Sequence, residues 1–157
     1  MIPYSIVRQD VALSTTADFL TIIAGASRSL LLTELDFQGE GNTSVKNQLG
    51  VFRVATAGTT PGGAITPAPR YTPNMTGTTP ALAFSGLVYT TWSAAPTLGA
   101  NVHPFSVNAN GQRYFWRAEH INDVIPVPGG NNAAASLSIR SVSGTSNVSG
   151  RVRIVEV

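Results

Sequence analysis

The stretch that decides the fold class is residues 133–157, AAASLSIRSVSGTSNVSGRVRIVEV. In its first part Ala135, Leu137 and Ile139 alternate with Ser136, Ser138 and Arg140. Further on, Val152 and Ile154 alternate with Ser149, Arg151 and Arg153. A period of two sends successive side chains to opposite faces, which is the pattern of a strand with one buried side. The SerGlyThrSerAsn between them, residues 143–147, has the composition and length of a four- or five-residue hairpin loop. The expectation is a closing β-hairpin whose last strand runs to the final residue and is needed for the fold.

Upstream the same reading recurs. Extended segments are predicted at 4–13, 18–24, 30–37, 48–55, 83–92, 102–108, 112–118 and 124–127, separated by turn-forming residues roughly every ten positions. In 30–37 strict alternation groups Leu31, Thr33, Leu35 and Phe37 on one face, and Leu30, Leu32, Glu34 and Asp36 on the other. Pro104 argues for an edge position of its strand, and Asn110-Gly111 is a hairpin signal. Tyr114 and Trp116 share a face that should point inward, opposite Arg113, Phe115 and Arg117. No helical period of useful length appears. The result is a single all-β domain, residues 1–157: a two-sheet antiparallel β-sandwich of jelly-roll type with about eight or nine strands.

Two segments stand apart. Residues 1–13 read as an edge strand or an extended N-terminal arm. Residues 56–82 are dominated by Thr, Pro, Gly and Ala, and a connection of that length inside a compact domain is usually functional. Both are candidates for contact with a neighbouring subunit. The contact residues expected are Ile65, Arg70, Tyr71 and Met75 in the loop, and Tyr4 and Ile6 in the N-terminal segment.

Composition narrows the function. Charged residues make up 11% of the chain and its formal net charge is +2, against about 25% charged residues in an ordinary soluble domain. The deficit is filled by small neutral residues, which suits a surface covered by neighbours. The basic residues, nine Arg and Lys46, are scattered along the sequence. That speaks against nucleic-acid binding and for an attachment that responds weakly to salt. There are no cysteines, so disulfides and thiolate metal sites are excluded. Neither a signal peptide nor an apolar run of membrane-spanning length is visible. The triplets beginning at Asn42, Asn74 and Asn147 match the glycosylation pattern but read as chance in so Asn/Ser/Thr-rich a chain.

Few residues offer chemistry. His120, with Glu119 and Asp123, has a spacing that would admit a metal, and His103 is the other histidine; the plainer reading of the first group is a solvated charged loop. No serine lies in a nucleophile-elbow context. Glu34 and Asp36 share a strand face as glycosidase carboxylates do, but such pairs are common on solvated faces. The Gly-Gly pairs at 62–63 and 129–130 open no helix and so lack the basis for anion binding. The Tyr114–Phe115–Trp116 cluster with its flanking arginines would stack on a sugar or base, or else serve as core on one face and interface on the other. Catalytic, cofactor and metal residues are therefore expected to be absent.

Four stretches together carry a family likeness: LLLTELDFQGEG at 30–41, GVFRVATAGT at 50–59, NGQRYFWRA at 110–118 and VPGGNNAAASLSIRS at 127–141. In these the chain resembles the small jelly-roll structural proteins of tailed bacteriophages, over most of its length from about residue 17. The resemblance implies a non-enzymatic virion component. The expected role is a decoration or cement protein, made in the host cytoplasm and bound as a homotrimer to the major capsid protein on the outer capsid surface. It brings no cofactor, nucleic acid or membrane. The alternative is a carbohydrate-binding jelly roll of a tail or fibre, used in host adhesion.

Overall fold

The structure, a computed structural model, describes residues 2–69 and 84–157. The strands are β1 (Ile2–Ala12), β2 (Asp18–Ile23), β3 (Leu30–Gly39), β4 (Lys46–Thr56), β5 (Thr59–Gly62), β6 (Ala68–Pro69), β7 (Leu87–Tyr89), β8 (Thr91–Ala94), β9 (Thr97–Asn108), β10 (Arg113–Arg117), β11 (Ile125–Val127), β12 (Leu137–Ser143) and β13 (Asn147–Glu156), with apolar alternation clearest in β13. All pairings are antiparallel. Sheet A runs β10-β3-β13-β1-β6, with β11 also paired to β3. Sheet B runs β7-β2-β12-β4-β9, and β5 with β8 forms a separate two-stranded ribbon. The chain is an all-β sandwich.

The core lies between sheets A and B. Sheet A contributes Tyr4, Ile6, Leu30, Leu32, Leu35, Phe37, Val148, Val152 and Ile154, and sheet B contributes Leu20, Ile22, Leu49, Val51, Phe105, Val107, Leu137 and Ile139. Phe37 sits between Phe19 and Phe105, each ring centroid 5.1 Å away. Gly150 makes this stack possible, because a Cβ there would lie 2.6 Å from Phe37 Cε1 and 2.9 Å from Phe19 Cζ.

The closing hairpin does not form. β12 is the central strand of sheet B and β13 that of sheet A, so residues 143–147 arch across the sandwich. The arch has its own chemistry. Gly144 has φ +88°, and Ser141 Oγ donates to the carbonyls of Ser143 and Gly144 at 3.0 and 2.8 Å. Ser146 N donates to Asn47 Oδ1 at 3.3 Å. The Asn110-Gly111 turn likewise leads from β9 in sheet B to β10 in sheet A and not into a hairpin.

Alternation in β3 is interrupted. Its register with β13 jumps from Glu34↔Arg153 to Leu32↔Ile154, leaving Thr33 as the extra residue of a bulge. The phase flips there, so Leu30, Leu32, Leu35 and Phe37 all point inward, and Glu34 and Asp36 point outward beside Arg151 and Arg153. This corrects the face assignment that strict alternation predicts. β12 also departs from expectation: its polar residues Ser138 and Arg140 are buried as well as Leu137 and Ile139. The chain between β4 and β9 folds back over that side of sheet B, with Trp92 Nε1 donating to Thr21 Oγ1 at 3.0 Å and Arg140 Nη2 to the Pro96 carbonyl at 3.0 Å.

Within the 56–82 stretch the described residues include two strands. β5 pairs with β8, and β6 pairs with Tyr4 and Ser5 of β1. β1 is a sheet strand and not a free arm; beyond Ser5 its outer edge carries no further strand among the described residues.

Candidate functional site

The residues expected to meet a neighbour fare unevenly. Tyr4 and Ile6 are 0% and 1% exposed, in the core between the sheets, because inward alternation of β1 points them away from any partner. That assignment is corrected. Ile65 is partly buried against the same core, and its N–H donates to the Val88 carbonyl at 3.0 Å. Arg70, Tyr71 and Met75 lie outside the described residues.

Other sequence candidates disperse. His120 N donates to Asp123 Oδ2 at 3.1 Å, a local turn contact, and among the described residues no three His, Asp or Glu side chains gather as a metal would require. The 62–63 Gly pair joins the ribbon: Gly62 closes β5 and accepts from Thr90 N at 3.3 Å, while Gly63 accepts from Thr90 Oγ1 at 3.0 Å. Gly129 and Gly130 sit in a turn tied to Ser29 and Gly25.

What gathers instead is charge on the outer face of sheet A. β3 offers Glu34 and Asp36, β13 offers Arg151 and Arg153, and β10 offers Arg113 and Arg117 with Phe115 between them. Asp36 accepts a two-pronged contact from Arg113 (Nε 2.7 Å, Nη2 3.0 Å) and another from Arg151 Nη2 at 2.6 Å. Glu34 accepts from Arg153 Nη1 at 2.5 Å and Arg151 Nη2 at 3.5 Å. Arginines far apart in sequence are thus brought together, because strands 113–117 and 147–156 flank the same strand β3. Sequence reasoning missed the cluster for that reason: its members are adjacent only through pairing.

A second grouping lies where the edge strands β9 and β10 approach each other. His103 Nε2 and Tyr114 Oη are 2.7 Å apart, and the His103 ring lies 4.6 Å from that of Trp116. Phe105 stacks on Tyr114 at 4.7 Å. Tyr114 and Trp116 face inward as expected, and Phe115 outward, 51% exposed. Trp116 is only partly buried, so Trp116→Ala should cost about 2 kcal/mol, below the ~3–5 of a fully buried aromatic. Phe115→Ala should stay within about 0.5 kcal/mol of the parent. Urea denaturation of the two variants measures both, and the reverse ranking would invert the face assignment.

Three groups give the fold a defined pH response. Burial pushes the His103 imidazole below its ordinary value. Hydrogen bonding from Arg113, with the charges of Arg113 and Arg151, holds Asp36 down against the opposing effect of burial. For Glu156, burial pushes upward but is outweighed by hydrogen bonds from Ser85 and Arg28, so the net shift is downward. A group with a depressed folded pKa stabilises above its unfolded pKa and loses that stabilisation as pH falls. Melting temperature should therefore decline first below about pH 6.5, the unfolded value for His, and again below about pH 4, that for carboxylates. In melts from pH 8 to pH 3, His103→Gln should remove the first step and Asp36→Asn should shrink the second.

No protein-family model matches the chain, and no curated protein and no solved structure shows significant similarity to it.

Proposed function

We propose that this chain is a non-enzymatic structural protein of a tailed-phage virion, a jelly roll that binds the outside of the capsid lattice and reinforces it as a homotrimer. The observation that carries the reading is how the ionisable groups are used. Asp18, Glu34, Asp36 and Glu156 are each bound by an arginine inside the fold. They hold strands together instead of converging on a cleft, as an active site would require. Away from the outer face of sheet A the surface is mostly neutral, since charged residues are only 11% of the chain, and such a surface is suited to being covered. The jelly-roll reading is supported by the order of the eight main strands, β1, β2, β3, β4, β9, β10, β12 and β13. It runs first-eighth-third-sixth in one sheet and second-seventh-fourth-fifth in the other. A small interface per copy, repeated over a lattice, adds up to substantial reinforcement.

The test is rebinding. Purified protein added to capsids stripped of it should reattach and raise the temperature at which the shells open. Folded protein that leaves stripped capsids unbound overturns the proposal. The second reading, a carbohydrate-binding module, is favoured by the half-buried group of His103, Tyr114 and Trp116 between the edge strands β9 and β10, since aromatic faces stack on sugar rings. Binding on a glycan array, lost in Trp116→Ala, would establish that reading in place of the first.

A further inference from the structure

We infer that the outer face of sheet A around Phe115 and Arg117 docks an acidic segment of another protein. The inference stands whether or not that protein is a capsid subunit. The face holds four guanidinium groups, Arg113, Arg117, Arg151 and Arg153, and two carboxylates, Glu34 and Asp36. Its excess of two positive charges equals the formal net charge of the whole chain, +2; the other six cations and six carboxylates cancel.

Of the four cations only Arg117 has capacity left. Both carboxylates are already bound by Arg113, Arg151 and Arg153. Arg117 stands opposite Glu34 in the β10–β3 register, yet it is exposed and has no hydrogen bond to a described residue. It borders a shallow depression with Thr33, Glu34 and Arg153, and its planar fork fits a carboxylate bidentately. Two positions away on the same face, Phe115 is 51% exposed, with the Arg113 guanidinium 5.5 Å from its ring centroid. An exposed aromatic beside a free arginine is the residue pairing found at the anchoring points of protein interfaces.

The same features select the partner class. A nucleic acid needs many cations along its backbone, whereas here Arg113, Arg151 and Arg153 are already engaged by Glu34 and Asp36, so Arg117 alone is left for an anion and one carboxylate is enough to fill it. A neutral sugar would have no use for the excess charge. A polypeptide with a carboxylate for Arg117 and an apolar side chain for Phe115 satisfies both.

The probe is a fluorescein-labelled ten-residue peptide of alternating Glu and Tyr, followed by anisotropy on the full chain. Binding is expected, weakened at least about tenfold by Phe115→Ser with Arg117→Gln, and weakened by raising sodium chloride from about 50 to about 500 mM. Lys46→Gln, which removes an exposed charge on sheet B, should leave affinity unchanged. Arg117→Gln alone, which disturbs no hydrogen bond and puts no like charge opposite Glu34, should weaken binding at an unaltered melting temperature. The proposal is overturned by absence of binding, by equal affinity of the double variant, or by an equal loss in Lys46→Gln. Displacement of the peptide by duplex DNA or by a neutral glycan would assign the face to that ligand and overturn it as well.

Discussion

Asp18→Ala should cost about 3–5 kcal/mol, enough to remove most of the stability of a domain this size. Asp18 and Arg140 are 6% and 9% exposed, on the side of sheet B away from the main core. The Asp18 carboxylate accepts from Thr21 Oγ1 at 2.7 Å, Ser138 Oγ at 2.5 Å and Arg140 Nε at 2.7 Å. Arg140 in turn donates to the Pro96 carbonyl, so the pair ties the returning segment to β2 and β12. Alanine at 18 removes the counter-charge and leaves a guanidinium buried without compensation, the circumstance in which breaking an ion pair is most costly. Replacing both, as Asp18→Leu with Arg140→Met, should recover much of the loss, since an apolar pair of similar volume avoids desolvating two charges. Denaturant midpoints at constant slope measure both effects. A loss below about 1 kcal/mol in Asp18→Ala would mean that water reaches the pair.

The fold class was legible because period-two alternation survives in nearly every strand, and the edge position of β9 because Pro104 marks it. The pairing was not legible. Residues 143–147 and Asn110-Gly111 have the composition of hairpin turns, but in both the chain leaves one sheet for the other, and turn chemistry records only a local reversal. Of the links between successive main strands, only β4 to β9 joins neighbours in one sheet. The side chains of β3 were misassigned by a single bulge at Thr33, because one extra residue inverts everything beyond it. Ser138 and Arg140 read as solvent-facing because the segment that covers them lies some forty residues away. The arginine face was invisible for a related reason: Arg113 and Arg151 are neighbours only through β3, whose own partners were unknown. Phe115 and its two flanking arginines were visible as a unit, and their outward direction followed from alternation alone.

Deleting residues 147–157 should leave a chain that does not unfold cooperatively at all. β13 pairs with β1 on one side and β3 on the other along nearly its whole length, so its loss divides sheet A. The remnants have no easy way to close. β1 and β3 are both antiparallel to β13 and therefore parallel to each other, so joining them would demand a new ladder in a less favourable pattern. The deletion also removes Val148, Val152 and Ile154, which are at most 1% exposed. At about 1.5–3 kcal/mol for each such side chain, their burial alone is comparable with the ~5–15 kcal/mol that holds a typical domain together. Glu156 goes with them, and with it the anchor that accepts from Ser85 N at 3.0 Å, from Ser85 Oγ and from Arg28 Nη1 at 3.0 Å. Far-UV circular dichroism and a thermal melt of the truncated chain provide the measurement. A sharp transition would require β1 and β3 to have found each other, and would show that the first twelve strands specify a sandwich without the thirteenth.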